Sequence, residues 1–207
     1  MEIIDLGLQP YRQVWAMQLE AQKEVIDAPA RERIYLVEHP HVYTLGRHGN
    51  PHNMIHLPAD TELIQIERGG DITYHGPGQL VVYPIIHLPS HHIGVKEYVN
   101  RLEQAVIDTI AEYGVVGERV EGATGVWIDV GSPAERKICA IGVKISHGTT
   151  MHGLALNVNT DLSRFSAINP CGFIDKGVTS LSVETGSGCN LSEVKQKISA
   201  HLRRLLS

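Results

Sequence analysis

Three stretches of the sequence hold side chains able to do chemistry. In "NPCGF", residues 169–173, Cys171 stands between Pro170, which fixes one backbone angle, and Gly172, which admits unusual ones. A thiol framed in this way sits on a shaped loop, where it either faces a substrate as a nucleophile or belongs to an ordinary turn. In "RGGDITYHGPGQ", residues 68–79, Gly69, Gly70, Gly76 and Gly78 surround Thr73, Tyr74 and His75. Glycines let a ligand approach the backbone closely, and Arg68 and His75 can bring charge or hydrogen-bond donors to it; the same residues would also suit two tight turns around a short strand. The segment has neither the GxxxxGK[ST] of a phosphate-binding loop nor the GxGxxG of a dinucleotide site.

The third stretch is "KICAIGVKIS", residues 137–146. Alternation along a strand puts Ala140 and Gly142 on one face, and "HGLALNV" likewise puts Gly153 and Ala155 on one face. Paired in that register, these small residues either leave a shallow trough for a hydrocarbon chain or admit a closely packed helix. Lys137 shares parity with Cys139, Ile141 and Val143, opposite the trough, so it is either an inward lysine in need of a partner or a solvated hairpin residue. Cys139 reads as core and Cys189, in "GSGCN", as a turn before a helix. The chain has twelve histidines, but none matches HExxH or a zinc spacing, and no metal site is expected.

These residues need elements to position them. "YRQVWAMQLEAQKEVI" after Pro10 predicts a helix with Trp15, Leu19, Gln22 and Ile26 on its buried stripe. "EYVNRLEQAVIDTIAEYG" predicts a second, burying Tyr98, Leu102, Ala105, Thr109, Ile110 and Tyr113. A third closes the chain, capped by Asn190 with Glu193 three residues on, and buries Leu191, Val194, Ile198, Leu202 and Leu205. "RIYLVEH", "VYTLGR", "LIQIERG" and "QLVVYPIIHL" read as strands. "GVWIDV" and "KICAIGVKIS" form a hairpin around "GSPAER", with "GLALNVNT" as a third neighbour. Strands in runs, then helices, give an α+β fold with mixed, largely antiparallel sheets flanked by helices. "RHGNPHNMIHLPAD", with two prolines and no consistent period, reads as a mobile loop.

At 207 residues with 43% hydrophobic content, the chain suits a single domain spanning 1–207. A formal charge of −5 without a Lys/Arg cluster argues against nucleic acid. The N-terminus has no secretory pattern, and no apolar run is long enough to span a membrane. Three cysteines without CxxC spacing disfavour a disulfide framework and fit a reducing, cytoplasmic setting.

With these motifs in place, the chain resembles the lipoyl(octanoyl) transferases of the biotin/lipoate protein ligase superfamily. "RGGDITYHGPGQLVVYP", "RKICAIGVKI", "HGLALNVNTDL" and "INPCGF" match in order and spacing. The resemblance implies the fold of the biotin/lipoate ligase catalytic domain and an acyl thioester on Cys171, with Lys137 as its catalytic partner. It implies substrate contacts from Arg68, Gly69, Gly70, Asp71, Ile72, Thr73, Tyr74 and His75, from Ala140, Ile141 and Gly142, and from Gly153, Leu154 and Ala155. It further implies no cofactor, an octanoyl-acyl carrier protein donor, and as acceptors the lipoyl domains of 2-oxoacid dehydrogenase complexes and the glycine cleavage H protein. A monomer is expected. The alternatives are an ATP-dependent lipoate or biotin ligase and a noncatalytic module that binds an acylated carrier.

Overall fold

The computed structural model describes residues 1–169 and 177–206. Its strands are β1 (Glu2–Leu8), β2 (Arg33–Glu38), β3 (Val42–Leu45), β4 (Leu63–Gln65), β5 (Ile72–His75), β6 (Gln79–Ile85), β7 (Glu118–Val120), β8 (Ala123–Ile128), β9 (Arg136–Ser146), β10 (Thr149–Asn157) and β11 (Gly177–Val178). Its helices are α1 (Tyr11–Asp27), α2 (Val95–Ala111), α3 (Leu181–Thr185) and α4 (Leu191–Leu206). Among the described residues, the main sheet runs β1-β2-β6-β10-β9-β8-β7, with β11 paired to β9, and a small sheet runs β4-β3-β5. Most pairings are antiparallel; β1 with β2, β3 with β4 and β11 with β9 are parallel. The expected α+β fold is present.

Each face of the main sheet buries its own apolar set. Leu80, Val82, Cys139, Leu154 and Leu156 meet the apolar stripes of α2 and α4 on one side. Val81, Tyr83, Met151 and Ala155 meet Val14, Ala21 and Val25 of α1 on the other. Alternation along β6 and β10 is what divides them. Of the expected stripe of α4, Val194, Ile198 and Leu202 are buried while Leu191 and Leu205 are partly so, and the Asn190 carboxamide accepts from the Ser192 N–H at 3.0 Å and the Glu193 N–H at 3.4 Å as its cap.

The stripe of α1 differs from expectation. Tyr11, Val14, Gln18, Ala21, Gln22 and Val25 are buried, while Trp15, Leu19 and Ile26 are only partly so. The inner glutamines bind strand β10: Gln22 Nε2 donates to the Thr149 carbonyl at 2.9 Å, and Gln18 Oε1 accepts from the His152 N–H at 2.9 Å. β1, β7, β11 and α3 were not expected. β1 breaks alternation at a register shift between Asp5 and Leu8, where Gly7 has φ +65°, and α3 is a single short turn between the Ser180 cap and Gly186. The 47–60 loop is tied down in place: the Asn50 N–H and the Asn53 carboxamide both donate to the Asp71 carboxylate, and Met54 bridges to Ile168.

Candidate active site

A cavity of about 550 Å³ lies between the α1-facing side of the main sheet and the small sheet. The register of its floor is the expected one, with Gly142 opposite Gly153 and Ala140 opposite Ala155. The two glycines, however, serve backbone contact. A Cβ on Gly142 would stand 2.8 Å from the Gly69 carbonyl oxygen, and one on Gly153 would stand 2.2 Å from that of Val82. The glycine-rich loop lies down on β9 there, with the Gly69 N–H donating to Val143 O at 3.0 Å. Ala140 and Ala155 leave open space between these crossings. Ile141 and Leu154 also line the cavity, although both side chains pack with the main core.

Strand alternation would turn Lys137 away from this cavity, and a β-bulge turns it back. Val126 pairs with Cys139 but Trp127 pairs with Lys137, so one step along β8 corresponds to two along β9. Ile138 and Cys139 consequently enter the same core in succession. Lys137 faces the cavity beside Trp127, its Nζ 4.5 Å from the ring centroid and donating to the Thr124 carbonyl at 3.3 Å. Gly125 has φ +128° at this crossing, where a Cβ would stand 2.4 Å from Cys139 O, and its N–H is held by the Glu103 carboxylate at 3.0 Å. Cys139 is buried core as expected, and burial pushes its thiol far up.

Cys171 lies outside the described residues. The chain before it is anchored where the Asn169 N–H donates to Asn53 O at 2.7 Å. The chain after it enters β11, whose Val178 pairs with Lys137.

In the glycine-rich loop, Arg68, Gly69, Gly70, Asp71, Ile72, Thr73 and His75 all line the cavity. Tyr74 does not: on β5 it shares a face with Ile72, packs with Tyr43 and Phe165, and its hydroxyl meets His41 Nδ1 at 2.7 Å. Arg68 braces the small sheet, donating to Thr44 O and Thr44 Oγ1, both at 2.9 Å. The Asp71 carboxylate accepts from the Asn50 and Ile72 N–H groups and from Asn53 Nδ2, so it shapes the loop. His75 was expected to bring charge or a donor to the ligand. Burial and then the neighbouring His39 lower its pKa to about 3, so it is neutral and brings no charge.

Several lining residues were not among the expected site residues, although most lie within the quoted motifs. Tyr11 and Tyr83 form an aromatic wall with His39 and His75, with ring centroids 5.0 to 5.9 Å apart. His39 takes one tautomer: Nδ1–H donates to the Gln9 carbonyl at 2.8 Å, leaving Nε2 to accept from the Tyr83 hydroxyl at 2.9 Å. Burial lowers its pKa to about 4. His152, with φ +62°, departs from the alternation of β10 and turns to Tyr83 and the cavity. It is 1% exposed, neither ring nitrogen has a hydrogen-bond partner among the described residues, and its pKa is lowered to about 3 by burial and then by Arg68. Gln79, Val81 and Tyr83 line the cavity from alternate positions of β6, a signal legible in the sequence once that face is known.

Among the described residues, no group of His, Cys, Asp or Glu is arranged to hold a metal ion, and no helix is long and apolar enough to cross a membrane.

Two sheets closing an apolar cavity under a glycine-rich loop define the catalytic-domain fold of lipoate and biotin ligases. A structure of lipoate-protein ligase A bound with ATP superposes with a TM-score of 0.76 at 15% identity, covering 99% of this chain and 85% of that one. A biotin protein ligase from Aquifex aeolicus gives 0.55 at 12% identity, covering 100% and 69%. The family described as the lipoyl protein ligase A/B catalytic domain matches residues 10–203. The octanoyltransferase of Bacteroides thetaiotaomicron is 53% identical over 215 residues, covering 99% of this chain and 95% of that protein. That of Christiangramia forsetii is 46% identical over 224 residues, covering 99% and 95%. The chain belongs to the lipoyl protein ligase A/B family and, within it, to the octanoyltransferases.

Proposed function

We propose that this chain, an octanoyltransferase of protein lipoylation, takes the octanoyl group from octanoyl-acyl carrier protein onto Cys171 as a thioester and passes it to a lysine. The acceptors are the lipoyl domains of 2-oxoacid dehydrogenase complexes and the glycine cleavage H protein. It does so in the cytoplasm as a monomer, one domain holding both steps. The observation that carries this reading is Lys137, turned by the bulge into an apolar cavity floored by Ala140 and Ala155.

In the first step Lys137, as the amine, takes the Cys171 thiol proton. The thiolate attacks the donor carbonyl, the carrier's sulfur leaves, and the Lys137 ammonium returns the proton to it. In the second step the acceptor lysine, as its free amine, attacks the enzyme thioester; Lys137 takes the proton lost from nitrogen and delivers it to the departing Cys171 sulfur. A thioester exchange followed by amide formation runs downhill without a nucleotide.

Magnitudes set what Lys137 must supply. A thiol of pKa about 8.5 is roughly 3% thiolate at neutral pH, and lowering it to about 7 raises that some fifteenfold. Nucleophilicity falls with basicity along a slope of about 0.4 to 0.5, leaving a net gain of only about threefold. Positioned proton transfer is worth about 10² to 10⁴, so shuttling protons is the larger contribution.

The test is transfer from purified octanoyl-acyl carrier protein to an apo lipoyl domain with nucleotide omitted. Full turnover without ATP is expected; an absolute ATP requirement with free octanoate as donor would make the chain a ligase, and binding without transfer would make it a noncatalytic module.

A further inference from the structure

A line of buried hydrogen bonds crosses the cavity floor from the glycine-rich loop to the main chain of Lys137. Each bond in it has one possible direction. Gln79 Nε2 lies 3.1 Å from the Tyr74 carbonyl, which can only accept, so the carboxamide nitrogen points there and also donates to Asn157 Oδ1 at 2.9 Å. Gln79 Oε1 therefore faces His75 Nδ1 at 2.7 Å and accepts its proton, in keeping with a neutral ring. Asn157, its oxygen already facing Gln79, donates from Nδ2 to the Thr179 carbonyl at 3.0 Å. The Thr179 N–H donates in turn to the Lys137 carbonyl at 2.9 Å. Thr179 Oγ1 also donates to Glu184, whose carboxylate receives Nε and Nη2 of Arg136, the residue before Lys137, at 2.7 and 2.6 Å.

Gln79, Asn157 and Thr179 are at most 5% exposed, and the first two line the cavity. Buried carboxamides are a costly floor for a site that takes a hydrocarbon chain, since leucine would serve packing alone without polar atoms to satisfy. Their arrangement has a second use. Among the described residues β11 is two residues long and pairs with β9 at Arg136 and Lys137, next to the bulge that aims the lysine. Asn157 ties that short pairing to the broad, rigid sheet.

We infer that Asn157 is a positioning residue for acyl transfer: through Thr179 it fixes the main chain of Lys137, and so the place of its ammonium over the cavity. This holds only if Lys137 carries the proton, as proposed above. A misplacement of about 1 Å in a reacting group costs about 10²-fold in rate.

The experiment compares Asn157→Leu, Asn157→Asp and Lys137→Met in the full chain. Asn157→Asp keeps the acceptor for Gln79 and, ionised, loses the donor to Thr179. Single-turnover rates, KM for octanoyl-acyl carrier protein, pH–rate profiles and melting curves are measured for each. Both Asn157 variants are expected to lose about 10²-fold in kcat, keep KM within about twofold, and move the limb of the pH–rate profile that Lys137→Met abolishes. Folded Asn157 variants with parental kcat and pH profile, changed only in melting temperature, would overturn the positioning role while leaving Lys137 in place. A Lys137→Met enzyme within tenfold of the parent would instead remove the proton carrier itself. Should Asn157→Leu fail to fold, Asn157→Asp decides by the same criteria.

Discussion

Three buried neutral imidazoles make the fold sensitive to mild acid. His39, His75 and His152 are at most 5% exposed, and their pKa values fall to about 4, 3 and 3. Unfolded, each titrates near 6.5, so between about pH 6.5 and 4 the unfolded chain binds more protons than the folded one. The stability these groups contribute is complete above the unfolded value and is lost as pH falls toward the folded values. At pH 5 each has lost about 2 kcal/mol, and together about 6 kcal/mol, a large part of the 5 to 15 kcal/mol typical of a domain. Through the window the slope approaches three protons, or about 4 kcal/mol per pH unit. Carboxylates held low by arginine, such as Glu184 beside Arg136, add their own loss only in more acid solution. Urea unfolding curves at pH 7.5, 6.5, 5.5 and 5 measure the slope directly. His152→Asn tolerates a left-handed backbone and should reduce it by one proton. A parental slope below one proton per molecule between pH 6 and 5 would refute the assignment of these rings as buried and neutral.

Lys137→Met should slow both half-reactions by more than tenfold, read by single-turnover acylation of the enzyme and by transfer from it to a lipoyl domain. Ala155→Phe fills the space facing Ala140, so octanoyl transfer should fall at least about tenfold while transfer from an acetyl donor is retained; equal loss for both chains in a competition assay would place the acyl group elsewhere. Gly153→Ala sets a Cβ against the Val82 carbonyl and should cost about 1 to 3 kcal/mol by urea denaturation. Asp71→Ala leaves the Asn50 and Asn53 donors without their carboxylate and should speed amide exchange across residues 50–54, with a smaller effect across α4.

Much of the frame was legible because it follows from alternation and capping. Small residues at 140, 142, 153 and 155 set the β9/β10 register, and Asn190 with Glu193 marked the start of α4. The aim of Lys137 was not legible. Parity gave the wrong face because a bulge depends on contacts from distant residues, here Glu103 on α2 holding the Gly125 N–H. Of the expected α1 stripe only Gln22 is buried, and Gln18 was missed because it is buried to bind β10 and a search for apolar periodicity passes over it. Tyr74 was grouped with its motif, although alternation on β5 sends it to the small-sheet core, away from Thr73 and His75. β1 has too irregular a pattern for strand periodicity, and the polar line from Gln79 to Thr179 joins residues far apart in the chain.

The covalent relay is tested most directly by intact and peptide mass spectrometry of the enzyme after rapid mixing with octanoyl-acyl carrier protein and no acceptor. The account predicts one octanoyl group on the peptide containing Cys171, released by hydroxylamine and discharged to an added lipoyl domain at the rate of turnover. Turnover at the parental rate by a folded Cys171→Ala enzyme, with no acyl group on that peptide, would contradict it.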